Sequence, residues 1–112
     1  MYTIDFVEFP SDSAADSARF FANAFGWSPT PYGPDYVDIQ GAGITLGFQA
    51  DADEKPSAPL VTIRADDLTE ARRAVEAAGG VVTVEPFDFP GGSRFHFREP
   101  GGSELAVWRP SE

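Results

Sequence analysis

The chain has 112 residues, 42% of them hydrophobic and 13% aromatic, which is enough apolar material for one globular domain or two small modules sharing a core. Eight basic against eighteen acidic residues give a net charge of -10, which disfavours nucleic acid and anionic lipid as partners. Cysteine is absent, so disulfides and thiolate metal sites are excluded. No run approaches the ~20 apolar residues of a membrane span and the start lacks signal-peptide features, so we expect a cytoplasmic protein with no membrane partner.

The first half of the chain is predicted to contain a strand, a helix and three further strands. Tyr2 to Phe9 alternates like a strand, and Ser11 to Ser13 can cap a helix that Gly26 then ends. The apolar stripe of that helix is Ala14, Ala18, Phe21 and Phe25. Prolines and glycines then separate three candidate strands, near Ser28 to Tyr32, Tyr36 to Gln40 and Ile44 to Gln49.

The second half repeats this order after an exposed linker, Asp51 to Pro59. Asp67 and Glu70 have the spacing of a capping box at the start of the second helix. The predicted elements are a strand Leu60 to Ala65, a helix Leu68 to Ala78, and strands near Val81 to Glu85, Arg94 to Arg98 and Glu104 to Arg109. A single offset aligns Asp12 with Asp66 and Gly26 with Gly80, so the sequence predicts two similar modules.

The last two strands form a hairpin with two different faces, because their residues alternate with period two. One face is predicted to join a helix-covered core, which comprises Val7, Phe9, Phe21, Phe25, Ile44, Leu46, Val61, Ile63, Leu68, Val75, Phe95, Phe97, Leu105 and Val107. The other face carries Arg94, His96, Arg98, Ala106 and Trp108. Since a solvated surface seldom places a tryptophan beside an alanine, this second face is interpreted as the lining of a concavity.

The first half of the chain contains, in order, a strand, an acidic cap, an aromatic pair and FGW, within FVEFPSDSAADSARFFANAFGW. The second half contains VTIRADDLTEARRAVEAAGGVV and the closing hairpin FREPGGSELAVW. In this order and at this spacing, these motifs resemble the vicinal oxygen chelate superfamily, which includes glyoxalase, bleomycin resistance protein and extradiol dioxygenase. The resemblance implies one α+β domain, 1–112, with two paired βαβββ modules whose mixed sheet curls around a cleft. Module one would be 1–50, the linker 51–59 and module two 60–110.

The resemblance also implies where a metal would bind, because metal-using members place four ligands, usually His or Gln, Glu, His and Glu, in the cleft. Those positions fall on Phe6, Thr45, Leu60 and Ala106. Three of them have no donor atom, and a neutral hydroxyl is a poor ligand. We therefore expect no metal and no cofactor, and a protein that is more consistent with binding than with catalysis.

The expected ligand is a small amphipathic molecule, because aromatic walls with a few polar groups are typical of small-molecule sites. Phe6, Leu60 and Trp108 would form the apolar wall, and Thr62, Arg94 and His96 the polar end. Glu8, Thr45 and Ala106 complete the predicted site. Arg94 and Arg98 could clamp an anion or pair with Glu99 or Glu104.

Three functions remain open from the sequence. The first is metal-free binding of a small molecule, with sequestration or resistance as its role. The second is an enzyme, a lyase or a dioxygenase-like protein, that uses His96, the only histidine, or Glu8, or a recruited metal. The third is a regulatory or structural dimer, and a homodimer is expected in any case because relatives of this length are frequently dimers.

Overall fold

The structure is a computed structural model that describes residues 1–112. The elements are β1 (Thr3–Pro10), α1 (Ala14–Phe25), β2 (Ser28–Pro31), β3 (Tyr36–Gln40), β4 (Thr45–Gln49), β5 (Leu60–Arg64), α2 (Leu68–Ala77), β6 (Val81–Phe89), β7 (Gly92–Arg98) and β8 (Glu104–Pro110). This is the α+β, twice βαβββ order predicted from the sequence. The chain divides into two compact units, one of residues 5–60 and one of residues 1–4 with 61–112. Neither helix has the length and apolar character needed to cross a membrane.

In the unit of residues 5–60, the strands lie in the order β2-β3-β4-β1. β1 runs parallel to β4, whereas β3 is antiparallel to both β2 and β4. Helix α1 covers one face of these strands. The buried residues beneath it are Ala14, Val37, Ile39 and Phe48, with Phe9, Ala18, Phe21, Trp27, Leu46 and Ala50 packed around them.

Helix α1 begins and ends at the residues that the sequence indicated. The Ser13 hydroxyl accepts the amide proton of Asp16, and Gly26 ends the helix in the left-handed conformation, at φ 74°. The prediction that Phe25 joins the core is wrong, since its side chain is 58% exposed. Phe25 lies at the edge of the stripe, where it stacks on Trp27 at 5.0 Å between ring centroids without passing under the helix.

In the unit that contains residues 61–112, the strands lie in the order β5-β8-β7-β6. β5 runs parallel to β8, and β7 is antiparallel to both β8 and β6. The buried core beneath helix α2 is Ala65, Ala71, Phe95, Phe97 and Val107, surrounded by Ile63, Leu68, Val75, Val82 and Leu105. Phe97 is buried while Arg98 is exposed, so the predicted register of the hairpin is confirmed.

Strand β6 is longer than predicted, because it continues from Glu85 through Pro86 to Phe89. Its pairing with β7 shifts register twice, between Val82 and Val84 and again between Val84 and Phe87. β6 is an edge strand of the sheet. An edge strand with irregular pairing tolerates a proline such as Pro86, which lacks an amide proton.

The turn between β7 and β8 is held by Glu99, whose carboxylate accepts the amide protons of Gly101 and Ser103, both at 2.7 Å. These backbone hydrogen bonds hold the pKa of Glu99 below its ordinary value. The Arg98 guanidinium donates to the Gly102 carbonyl at 2.8 Å. Arg98 therefore braces the turn and forms neither of the ion pairs considered from the sequence.

Candidate functional site

In the unit that contains residues 61–112, the face of the sheet opposite α2 brings together five of the predicted binding residues. They are Thr62, Arg94, His96, Ala106 and Trp108. We call this surface the Trp108 face. Its position follows from strand alternation, because Phe95, Phe97 and Val107 point into the core beneath α2. Arg94, His96, Ala106 and Trp108 were predicted to share a face of the hairpin, and the strand pairing places them there together with Thr62 of β5, whereas their role in binding stays a prediction.

Thr62, Ala106 and His96 lie in one row across strands β5, β8 and β7. Ala106 is the register partner of both other residues, so their Cα atoms are two strand spacings apart, about 9–10 Å. Ala106 is 0% exposed and Thr62 is 3% exposed. The row therefore has a methyl group at its centre and a polar side chain on either side.

Two polar atoms of this row are buried without a hydrogen-bond partner, Thr62 Oγ1 and His96 Nε2. Buried polar groups are nearly always hydrogen-bonded, and one left unpaired costs about 1–3 kcal/mol. Two such atoms on either side of one alanine are therefore unfavourable for folding. They also identify a place where a bound molecule could satisfy protein atoms.

His96 is held in its neutral form by its surroundings. Burial lowers its pKa below the ordinary 6.5, and the positive charge of Arg94 lowers it further, while Glu104 acts in the opposite direction. The Nδ1 atom lies 3.8 Å from Glu104 Oε2, and that oxygen accepts the Thr83 hydroxyl at 2.6 Å. At neutral pH the imidazole is uncharged, with Nδ1 facing a carboxylate.

The next row of the Trp108 face alternates cations with aromatic rings. The Arg94 guanidinium lies over the rings of Phe87 and Phe89, at 5.2 and 5.5 Å from their centroids. The Phe89 ring is 6.4 Å from Trp108, and Arg64 lies over Trp108 at 5.7 Å. The row forms a shelf of aromatic rings and guanidinium groups beside the polar row, with the Phe89 and Trp108 ring planes inclined at 44° to each other.

Phe87 and Phe89 were missed by the sequence analysis, because strand β6 was predicted to end at Glu85. The alternation of Phe87 and Phe89 around Asp88 was the available signal, but Pro86 directly before it indicated a break. The two aromatic rings extend the shelf beyond the predicted residues.

In the first unit, the face of the sheet opposite α1 carries three more predicted residues, Phe6, Glu8 and Thr45. We call this surface the Gly47 face. Glu8 and Asp38 are both register partners of Gly47, so two carboxylates flank a residue without a side chain. Glu8 is 6% exposed and lies on the same face as Phe6, as the alternation of β1 predicts.

The space above Gly47 is filled by the Tyr36 hydroxyl and the Phe6 ring. Thr45, directly opposite Phe6, donates its hydroxyl proton to Gln40 Oε1 at 3.2 Å. Asp38 and Tyr36 were not assigned to the site from the sequence, since only the register of β3 on β4 shows that they share this face. Leu60, the remaining predicted residue, is the buried first residue of β5.

Asp38 is half-buried, and burial raises its pKa above the ordinary 3.8 despite the opposing hydrogen bond of Tyr36. Its Oδ1 atom is buried without a hydrogen-bond partner. The folded state therefore disfavours the charged carboxylate. As the pH rises from 3.8 through the folded pKa, the folded state binds more protons than the unfolded chain, and the stability falls.

The Asp38→Asn variant is accordingly expected to be more stable than the wild type at neutral pH, because asparagine keeps the shape without the charge. The advantage should shrink as the pH falls toward 3.8 and disappear below it. Urea denaturation at a series of pH values measures this. A variant that is less stable than the wild type at neutral pH would show that the charged carboxylate is favourable where it lies.

The residues at the four family metal positions do not fit a divalent ion. Phe6, Leu60 and Ala106 have no donor atom, and the hydroxyl of Thr45 is already engaged with Gln40. No group of three or more histidine, aspartate or glutamate side chains is arranged to hold a metal. The donor chemistry of this chain thus differs from that of metal-using proteins with the same element order.

Comparison with solved structures shows the same fold in proteins of low identity. Methylmalonyl-CoA epimerase from Mycobacterium tuberculosis superposes with a TM-score of 0.74 at 13% identity, covering 97% of this chain and 88% of that chain. The Mn(II)-bound glyoxalase from Novosphingobium aromaticivorans has a TM-score of 0.68 at 21% identity, covering 95% of this chain and 38% of that chain. These likenesses show the fold alone.

Comparison by sequence gives the family. Anthracycline biosynthesis protein DnrV from Streptomyces peucetius is 30% identical over 125 residues, which cover 88% of this chain and 44% of DnrV. The chain thus spans less than half the length of this relative. The family model of the Glyoxalase/Bleomycin resistance protein/Dioxygenase superfamily matches residues 3–107. The chain therefore belongs to the glyoxalase/bleomycin resistance protein/dioxygenase superfamily.

Proposed function

We propose that the protein binds a small amphipathic molecule on the Trp108 face without a metal, and that sequestration of this molecule is its role. The observation that carries the proposal is the pair of buried, unpartnered atoms, Thr62 Oγ1 and His96 Nε2, on either side of Ala106. If these two positions contributed only to stability, apolar side chains in place of Thr62 and His96 would avoid the cost of the unpaired polar atoms. Retaining two unsatisfied polar groups is consistent with a site that a ligand completes.

The neighbouring row of rings supports an amphipathic ligand. Phe87, Phe89 and Trp108 offer aromatic surface, and the Arg94 guanidinium carbon lies 5.2 and 5.5 Å from the centroids of the first two rings. Aromatic walls with a few directional polar groups are the usual composition of small-molecule sites. On the Gly47 face, Phe6, Glu8 and Thr45 have a similar mixture, and we include them with Leu60 as candidate binding residues.

The curated relatives support an aromatic compound in particular. DnrV and DauV, from Streptomyces peucetius and Streptomyces sp. strain C5, are both named as anthracycline biosynthesis proteins. Anthracyclines contain a planar, fused aromatic ring system, and the rings and guanidinium groups of the Trp108 face are groups against which such a ring system can pack. We infer that planar aromatic compounds are the first class to test. The expected homodimer and cytoplasmic location remain predictions, and sedimentation at several concentrations tests the first.

A thermal-shift screen of planar aromatic metabolites and antibiotics tests the proposal. A ligand at ~100 times its dissociation constant stabilises by about 2.7 kcal/mol, which is readily detected. The screen is run on protein treated with a chelator and again with excess zinc, and the same compounds should bind in both. If no compound stabilises the protein, or if stabilisation requires the metal, the proposal of a metal-free binding protein is overturned.

Replacing Trp108 with alanine should weaken the binding of a compound found in this way by more than tenfold, or about 1.4 kcal/mol. The indole ring supplies the largest single aromatic surface of the face, and its loss also frees Arg64 from its stacking contact. Titration calorimetry measures the change. The matched control is Phe20→Ala, which removes a 58% exposed ring from helix α1 and should leave the affinity unchanged. If the Trp108→Ala variant binds the compound as tightly as the Phe20→Ala variant does, the binding site does not include the Trp108 face.

A further inference from the structure

His96 has one ring nitrogen, Nε2, that is buried without a hydrogen-bond partner, and the surroundings of the ring determine whether this atom is a donor or an acceptor. The carboxylate of Glu104 lies on the Nδ1 side at 3.8 Å, and a negative oxygen favours the proton on that nitrogen. The neutral imidazole then carries its lone pair on Nε2, the atom that is buried without a partner.

The charges around His96 decide what kind of group can approach Nε2. Arg94 on the same strand is positive and Glu104 on β8 is negative, and Glu104 already accepts the Thr83 hydroxyl. A cationic group would be repelled by Arg94, whereas an anionic group offers only acceptor atoms and cannot satisfy the lone pair on Nε2. An uncharged donor, a hydroxyl or an aromatic N–H, satisfies Nε2 without either cost.

The shape around His96 restricts the body of the ligand. On one side the row continues over the Ala106 methyl to the Thr62 hydroxyl, which can donate or accept. On the other side the Phe87 ring centroid is 6.0 Å from the imidazole, and the ring and guanidinium shelf begins there. An aromatic body can make ring contacts with Phe87 and a cation–π contact with Arg94, which a branched aliphatic body cannot.

We propose that the ligand is an uncharged planar aromatic compound that donates a hydrogen bond from a hydroxyl or N–H group to His96 Nε2. This inference rests on the proposed binding function and specifies its chemistry. His96 is therefore a binding and specificity-determining residue. An aromatic ether or N-alkylated ring of the same size leaves Nε2 unpaired, as it is in the free protein, and therefore gains no hydrogen bond there.

The test compares two pairs of probes, indole with N-methylindole and phenol with anisole. Within each pair the ring is the same and only one compound carries the donor. Indole and phenol should bind about tenfold more tightly than their methylated partners, which corresponds to leaving one buried acceptor unsatisfied. In the His96→Phe variant, which keeps a ring but removes the acceptor, this discrimination should be lost. The helix variant Thr69→Ala, on an exposed residue of α2, should retain it.

Because His96 is the only histidine, nitrogen NMR of the imidazole gives a second readout that needs no variant. In the free protein at neutral pH, Nδ1 should be protonated and Nε2 not, and indole should shift the Nε2 signal while N-methylindole does not. A protonated Nε2 would overturn the inference, as would equal binding within both pairs or no binding of indole and phenol up to their solubility limits. The proposed binding function is tested by a different result. It is overturned if no compound of the thermal-shift screen shifts the NMR signal of the Trp108 indole.

Discussion

Replacing Phe95 with alanine is expected to lower the free energy of unfolding by about 3–5 kcal/mol. Phe95 is 0% exposed and lies at the centre of the core beneath α2, with its ring 6.4 Å from Phe97. Truncation removes the transfer free energy of a whole ring and leaves a cavity that the strand backbone cannot close. Since small domains unfold at a cost of 5–15 kcal/mol, the variant should be marginally stable.

The control for this variant is Arg98→Ala, on the same strand with the opposite parity. Its side chain is exposed and makes one hydrogen bond to the turn, so the loss should stay below about 1 kcal/mol. Guanidinium denaturation of both variants measures the difference. Similar losses at the two positions would mean that the hairpin register is displaced by one residue, which would also remove His96 from the Trp108 face.

The sequence predicted the hairpin well because its chemistry changes sharply from one residue to the next. Phe95 and Phe97 alternate with Arg94, His96 and Arg98, and only one register buries the phenylalanines. Helix boundaries were equally accessible, because the caps are local: Asp67 accepts the amide proton of Glu70 at 2.9 Å without help from the rest of the fold.

Strand β6 shows where a local pattern was insufficient. Pro86 indicated a break, yet pairing with β7 carries the strand past it through two register shifts. Whether a proline ends a strand depends on its position at an edge, and edge position is a property of the assembled sheet. Phe87 and Phe89, which stack on Arg94, were missed for this reason.

The polar details of the site were inaccessible for a different reason. That Thr62 Oγ1 and His96 Nε2 lack partners depends on every group packed around them, and the pKa of His96 is lowered first by burial. The sequence indicated the residue types and the face, whereas the hydrogen-bonding state of each atom required the three-dimensional structure. The same applies to Asp38, whose neighbour Gly47 is adjacent only through the pairing of β3 with β4.

Substituting Gly47 with alanine is expected to destabilise the protein by about 1–3 kcal/mol, the usual cost of overpacking. A Cβ atom at this position would lie 2.5 Å from Phe6 Cζ and would collide with the Tyr36 hydroxyl. Moving Tyr36 away also weakens its hydrogen bond to the Asp38 carboxylate, which is already unfavourably buried. The cost should therefore exceed that of a clash with a freely mobile side chain.

The Tyr36→Phe background identifies which contact is responsible. Without the hydroxyl the new methyl group loses its closest neighbour, so Gly47→Ala should cost less there than in the wild type, by about 0.5–3 kcal/mol of coupling. Four proteins measured by urea denaturation, the wild type, both single variants and the double variant, complete this cycle. Additive losses would place the strain on Phe6 alone. No loss at Gly47→Ala would mean that the Gly47 face has room for a side chain, and that its two carboxylates flank an open gap.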